Sequence, residues 1–148
     1  MELQLGIVAD GANVDSSGKL YIMGEFRYLH VASLPAFHPQ MALVLRFTAP
    51  VVEVPKDRPA KLRLQFVDAD GHPLFPNDPQ PEVGIQFSPI GPADRGVSIA
   101  QVVLNMGMLP ITQEGDHVIH VWVEDRRVGE VKFHVLRQQP RLAAPKAP

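Results

Sequence analysis

Two carboxylates stand close together in Asp68-Ala69-Asp70-Gly71. Two carboxylates can divide general acid and general base work in glycoside hydrolysis, but only when held at a set separation across a cleft. An Asp-Gly pair at the end of a strand serves equally well as a turn, and the turn needs nothing further. The segment 10–19 is more distinctive. Asn13, Asp15, Ser17 and Gly18 echo the opening of a calcium-binding EF-hand loop, in which alternating oxygen ligands and a glycine wrap the ion. Counting from Asn13, however, the twelfth position is Gly24 where a bidentate Glu is required, and the flanks alternate like strands. Gly11 and Gly18-Lys19 suggest a phosphate loop, yet six residues separate the glycines instead of four, and Leu20 stands where a Ser or Thr must hold Mg²⁺. A polar connection whose Asx side chains cap local backbone fits 10–19 best.

Histidines occur at 30, 38, 72, 117, 120 and 134. His120 and His134 are expected to be near neighbours on one sheet face, with Glu124 and Glu130 beside them. A zinc site would need further ligands, so these are read as solvated side chains, and neither a metal nor a cofactor is expected. The chain has no G-x-S-x-G nucleophile elbow, no H-E-x-x-H and no dinucleotide-binding glycine fingerprint. With no cysteine, thiol nucleophiles, disulfides and thiolate metal sites are excluded. No enzyme is expected.

The elements that position these residues are strands. Apolar residues recur at period two, which sends successive side chains to opposite faces. Leu20, Ile22, Phe26 and Tyr28 form one such run, Met41, Leu43, Leu45 and Phe47 another. Leu62, Leu64 and Phe66 follow, and then Val83, Ile85 and Phe87. Segments 3–8 and 97–104 add two more, the second with a less clean pattern that admits a helical turn. Ile119, Val121 and Val123 oppose Val118, His120, Trp122 and Glu124, and Val131, Phe133 and Val135 oppose Lys132 and His134. These last two runs predict a hairpin, with Gly129 placed to absorb a bulge that brings Val121 and Val131 to one face. Prolines are expected between the strands, Pro39, Pro50, Pro76, Pro79, Pro89 and Pro110 among them. The pattern predicts an all-β chain: a two-sheet antiparallel β-sandwich, immunoglobulin-like or related, of about 7–8 strands. Residues 1–137 make one domain, and 138–148, rich in Pro and Ala, a disordered tail.

The segments LGIVADGANVDSSGKLYIMGEF, LPAFHPQMALVLRF and EGDHVIHVWVEDRRVGEVKFHV resemble an uncharacterised family of small bacterial β-domain proteins, defined only as a domain of unknown function. The likeness spans roughly residues 3 to 136 and is sharpest in V-A-D-G-A-N-x-D-x-x-G-K-L at 8–20. It implies a compact β domain, and it transfers no catalytic residue.

At 148 residues the chain can bury a proper core, and a net charge of −2 offers no cation excess for nucleic acid or an anionic membrane. Arg126, Arg127, Arg137, Arg141 and Lys146 are read as solvated turn and tail residues. The first residues, with an early Glu2 and Asp10, do not read as a signal peptide, and a cytoplasmic location is expected. Trp122 is the residue to follow, because the register that buries Val121 must turn the indole outward among His120, Glu130, Lys132 and His134. That face is the candidate surface of a non-catalytic protein-binding or scaffold module, contacting a protein partner or a second copy. The alternative is a small-ligand or carbohydrate-binding module using Trp122, Tyr21 and Tyr28. A hydrolase using Asp68, Asp70 and a loop histidine ranks last.

Overall fold

The structure is a computed structural model that describes residues 1–75, 81–92 and 95–139. In chain order its strands are β1 (Glu2–Val14), β2 (Leu20–Phe26), β3 (Tyr28–Val31), β4 (Ala36–Pro50), β5 (Ala60–Val67), β6 (Glu82–Ile85), β7 (Ser88–Ile90), β8 (Val97–Ile111), β9 (Gly115–Val123) and β10 (Arg126–Arg137). They form two five-stranded sheets, ordered β2-β1-β4-β8-β7 and β3-β10-β9-β5-β6. Inward residues of both sheets, among them Leu43, Leu45 and Phe47 from the first and Leu64, Ile119, Val121 and Phe133 from the second, share one buried cluster. Sandwiches are held together by such interdigitated inner faces.

The fold is the expected all-β sandwich, with ten strands among the described residues rather than 7–8. Two of the expected runs each divide between the sheets. The run 20–28 breaks at Arg27 into β2 and β3, and the run through Val83, Ile85 and Phe87 breaks into β6 and β7. Phe87 continues the inward alternation of Val83 and Ile85 and so conceals the second break. At Arg27 the phase reverses: Phe26 packs on the core, Ile22 and Tyr28, expected on the same face, are exposed, and Leu29 and Val31 are the buried residues of β3. One pair also departs from the antiparallel expectation, because β3 lies parallel to β10.

The segment 10–19 is not one long connection. β1 runs on to Val14, which pairs with Leu20, while its pairing with β4 ends at Ala9 and Ala42. Beyond that point the β1-β2 hairpin leaves the sheet as an arm. The Gly18 carbonyl at its tip accepts a hydrogen bond from Gln101 Nε2 on β8 at 3.3 Å. Since β4 separates β1 from β8, the tip reaches β8 only by crossing β4, and the packed core leaves the outer face as the route. Ala42 and Val44 there are fully buried and cluster with Ala12, Leu20 and Ile7. At the tip, Asp15 Oδ1 accepts from the Ser17 amide at 2.8 Å, the Ser17 hydroxyl at 2.6 Å and the Lys19 amide at 3.0 Å. The Ser17 hydroxyl and these amides hold the Asp15 carboxyl down at about 2.

The strand expected at 97–104 is part of the continuous strand Val97–Ile111, which has no helical turn. Two further expectations are corrected or fall elsewhere. Pro39, Pro50, Pro89 and Pro110 lie within strands rather than between them. Phe37 pairs with Pro110 where β4 has passed the end of its pairing with β1 and β8 has passed β7, so each strand has an open side that spares the missing amide hydrogen. Pro76 and Pro79, and residues 140–148 of the expected tail with Arg141 and Lys146, lie outside the described residues. The Gln138 amide still donates to the Val31 carbonyl at 2.7 Å, continuing the sheet edge. Among the described residues no helix is long and apolar enough to cross a membrane.

Gly24 sits in the arm at φ +67, opposite Asp10, and a Cβ there would run into the Asp10 carboxylate. Gly24→Ala is expected to lower stability by about 1–3 kcal/mol in urea unfolding, and a second change, Asp10→Ala, to recover part of that loss. Stability within about 0.5 kcal/mol of the parent would contradict this picture of the bend.

Candidate functional site

β9 is the middle strand of the candidate surface. Ile119, Val121 and Val123 are fully buried between the sheets, so Val118, His120 and Trp122 must face outward. All three are half-buried. The register places Trp122 between Arg63 on β5 and Arg127 on β10, and His120 between Gln65 and Glu130. The Arg63 guanidinium carbon lies 5.0 Å from the centre of the indole ring, within cation-π range. The indole is thus partly covered by an arginine of its own sheet.

Glu130 is the centre of a small charge network. It accepts from Arg127 Nη2 at 2.6 Å, pairs with Lys132 Nζ at 3.1 Å, and lies 3.6 Å from His120 Nδ1. The Lys132 ammonium, against the opposing effect of burial, and then Arg127 hold its carboxyl below the usual range. His120 moves the other way for its type: burial first, then the Arg127 charge, depress the ring's basicity more than Glu130 raises it. The imidazole is therefore neutral at pH 7. Side chains this exposed give ion pairs worth about 0–1 kcal/mol each, so the network orients more than it stabilises.

Trp122, His120, Glu130 and Lys132 are brought together. His134 is not among them. Its cross-strand partner is Asp116, whose Oδ1 accepts from Nδ1 at 2.7 Å, and its ring meets Tyr28 edge-on. Four residues along the strand separate this pair from His120 and Glu130, roughly 13 Å. His120 and His134 are consequently not the near neighbours expected, because a shared face says nothing about register. The three aromatic residues of the carbohydrate reading do not converge either: Tyr21 lies on β2 in the first sheet, bonded through its hydroxyl to Asp15 at 3.0 Å, and Tyr28 lies at the far end of the second.

Asp68 is spent on its own turn. Its Oδ1 accepts from the Asp70 amide at 3.0 Å and the His72 amide at 2.9 Å. Burial works to raise its pKa, and these amides outweigh it and leave the carboxyl below the ordinary range. Asp70 is exposed. Sequence reasoning missed His117, which faces inward, is fully buried, stacks on Phe133 and donates from Nδ1 to the Gly115 carbonyl at 3.0 Å. Its position two residues before Ile119 was the available signal.

The turn after Trp122 fixes the surface. Val123 pairs with Arg126, leaving Glu124 and Asp125 as the two turn residues, at φ 49 and φ 64. Two positive φ values mark a type I′ turn, which ordinarily takes Asn or Gly. Glu124 offsets that strain with its side chain. Arg58 donates to both carboxylate oxygens at 2.7 and 2.9 Å, and the Lys61 amide donates at 2.8 Å.

The sheets and this face define the chain as a two-sheet β-sandwich domain with one polar, tryptophan-bearing outer surface. A family model matches residues 4–136, and the chain belongs to that family, described as a family of unknown function, DUF6941. No curated protein matches it. Among solved structures it is similar to the alkylpurine DNA glycosylase AlkC of Pseudomonas fluorescens, bound to DNA containing an abasic site analogue. There the TM-score is 0.45 at 11% identity, over 90% of this chain and 30% of the glycosylase, so this chain spans under a third of that length. It is also similar to an immunoglobulin-like protein of Pseudomonas aeruginosa, with a TM-score of 0.39 at 14% identity over 92% of this chain and 98% of the other. At these scores neither likeness bears on activity.

The Arg58 bonds, then the Lys61 amide, hold the Glu124 carboxyl at about 2 against an ordinary 4.5. A carboxyl lowered on folding contributes stability that is complete above its unfolded value and lost as pH falls toward the folded one. Glu124→Gln is therefore expected to cost about 1–2 kcal/mol at pH 7, discounted for partial exposure. In urea melts the difference from the parent should shrink between about pH 4.5 and about pH 2. A difference independent of pH would assign the loss to turn shape alone.

Proposed function

We propose that this chain is a non-catalytic protein-binding module of the cytoplasm that meets its partner through the outer face of the second sheet. One observation carries the reading: Trp122 is half-buried between Arg63 and Arg127 on a face where Glu130 and Lys132 are exposed. Tryptophan and arginine are the residue types most enriched among those that dominate binding energy at interfaces. An indole already ordered by an arginine loses little rotamer freedom when a partner covers it. The first sheet differs, since its own β1-β2 arm covers part of its outer face. The charges beside the indole alternate in sign, which suits a protein surface of mixed charge better than a polyanion.

An affinity pull-down from the native host, read by mass spectrometry, tests this. Trp122→Ala should reduce recovery of the partner roughly ten-fold or more, while Tyr21→Ala, on the other sheet, should leave it unchanged. Equal recovery with Trp122→Ala would remove the face from consideration.

A further inference from the structure

β2 is an edge of the first sheet, paired with β1 on one side and with no strand on the other among the described residues. A strand packed on one face alternates in burial, and β2 does not: its five middle residues, 21–25, are all exposed. Both of its faces and its open edge therefore stand in solvent. The arm accounts for this, since beyond Ala9 the β1-β2 hairpin leaves the sheet and packs back on β4 through Ala12 and Leu20.

Three exposed residues in a row are large and apolar: Tyr21, Ile22 and Met23, at 51%, 38% and 69% exposure. An open edge of this kind is a template for another strand. Charges ordinarily guard such an edge, and here they stand only towards its ends, as Lys19 and Glu25. Both are exposed, and neither side chain has a hydrogen bond or ion pair among the described residues.

The spacing of these residues makes the edge complementary to itself. Lys19, Tyr21, Met23 and Glu25 alternate onto one face. About a two-fold axis two copies of the edge run antiparallel, and an axis at Ile22 sets Lys19 of each copy opposite Glu25 of the other, and Tyr21 opposite Met23. On the opposite face Ile22 meets Ile22. Each free charge gains a counter-ion, and each exposed apolar side chain gains an apolar neighbour, with an aromatic ring against a thioether. An axis at Met23 would instead set Lys19 opposite Arg27, cation against cation. The Tyr21 ring is already held through its hydroxyl's bond to Asp15 at 3.0 Å, so covering it costs little rotamer freedom.

We propose that the open edge of β2 pairs antiparallel with the same edge of a second copy of this chain, with Ile22 on the two-fold axis. The edge belongs to the first sheet and the Trp122 face to the second, so this interface and the proposed partner surface succeed or fail separately.

Sedimentation of the full chain from about 10 µM to about 500 µM tests the proposal. The mean mass should rise with concentration from 16.3 kDa toward twice that value. Lys19→Glu alone and Glu25→Lys alone each set like charges opposite one another and should weaken association about ten-fold or more. An equimolar mixture of the two variants restores opposite charges across the axis and should associate within about three-fold of the parent. Trp122→Ala, on the other sheet, should associate like the parent. A parent that stays monomeric throughout would overturn the proposal and leave the edge to a strand of another protein. Single variants that associate as tightly as the parent, a mixture no tighter than its components, or loss of the dimer in Trp122→Ala would overturn it too. Should a variant not fold, amide hydrogen exchange of the parent decides: raising its concentration must slow exchange at 20–25, and unchanged rates there would also overturn the proposal.

Discussion

Burial of Ile119, Val121 and Val123 between the two sheets is the constraint on which the rest of the structure depends. These three side chains are fully buried, and β9 pairs on both sides, with β5 and with β10. A slip of one residue would send His120 and Trp122 inward and three aliphatic side chains outward. Burying each aliphatic side chain is worth about 1.5–3 kcal/mol, so the slipped register loses an amount comparable to the whole stability of a domain. The outward position of Trp122 is thus a by-product of what its neighbours bury. Arg63 and Arg127 then inherit their places beside the indole from the register alone.

β10 can match that register only by breaking its own. Arg127 faces outward opposite Trp122, yet Glu130, an odd number of residues later, also faces outward, opposite His120. An extra residue must be absorbed between them, and the register shifts between Arg127 and Gly129. Gly129 is where this becomes possible, since a Cβ there would meet the Leu3 side chain at 2.7 Å. The Glu124-Asp125 turn closes the same hairpin, and Arg58 ties it to the connection from β4 to β5.

Much of this was legible in the sequence, and the gaps have a common cause. Alternation identified the inner faces of β4, β5, β9 and β10, and Gly129 marked the bulge, because both signals are local. Asp15 and Asp68 were legible as turn residues for the same reason. Alternation says which face a residue takes and nothing about its neighbour across the strand. Hence His134 was set beside His120 when its partner is Asp116, and the arginines flanking Trp122 went unrecognised. The arm of β1 and β2 depends on a contact between Gly18 and Gln101, 83 residues apart. Pro39 and Pro110 were mistaken for boundaries because their tolerance depends on which side of each strand is unpaired, and that is settled by the sheet order.

The cysteine-free chain permits the most direct test of the β9 register: single cysteines at each position from 118 to 123, labelled with a small alkylating reagent under native conditions. Cysteines at 118, 120 and 122 should react readily, and those at 119, 121 and 123 only as fast as the protein unfolds. Labelling at 121 as fast as at 122 would contradict the alternation, and with it the placement of the indole and the core alike.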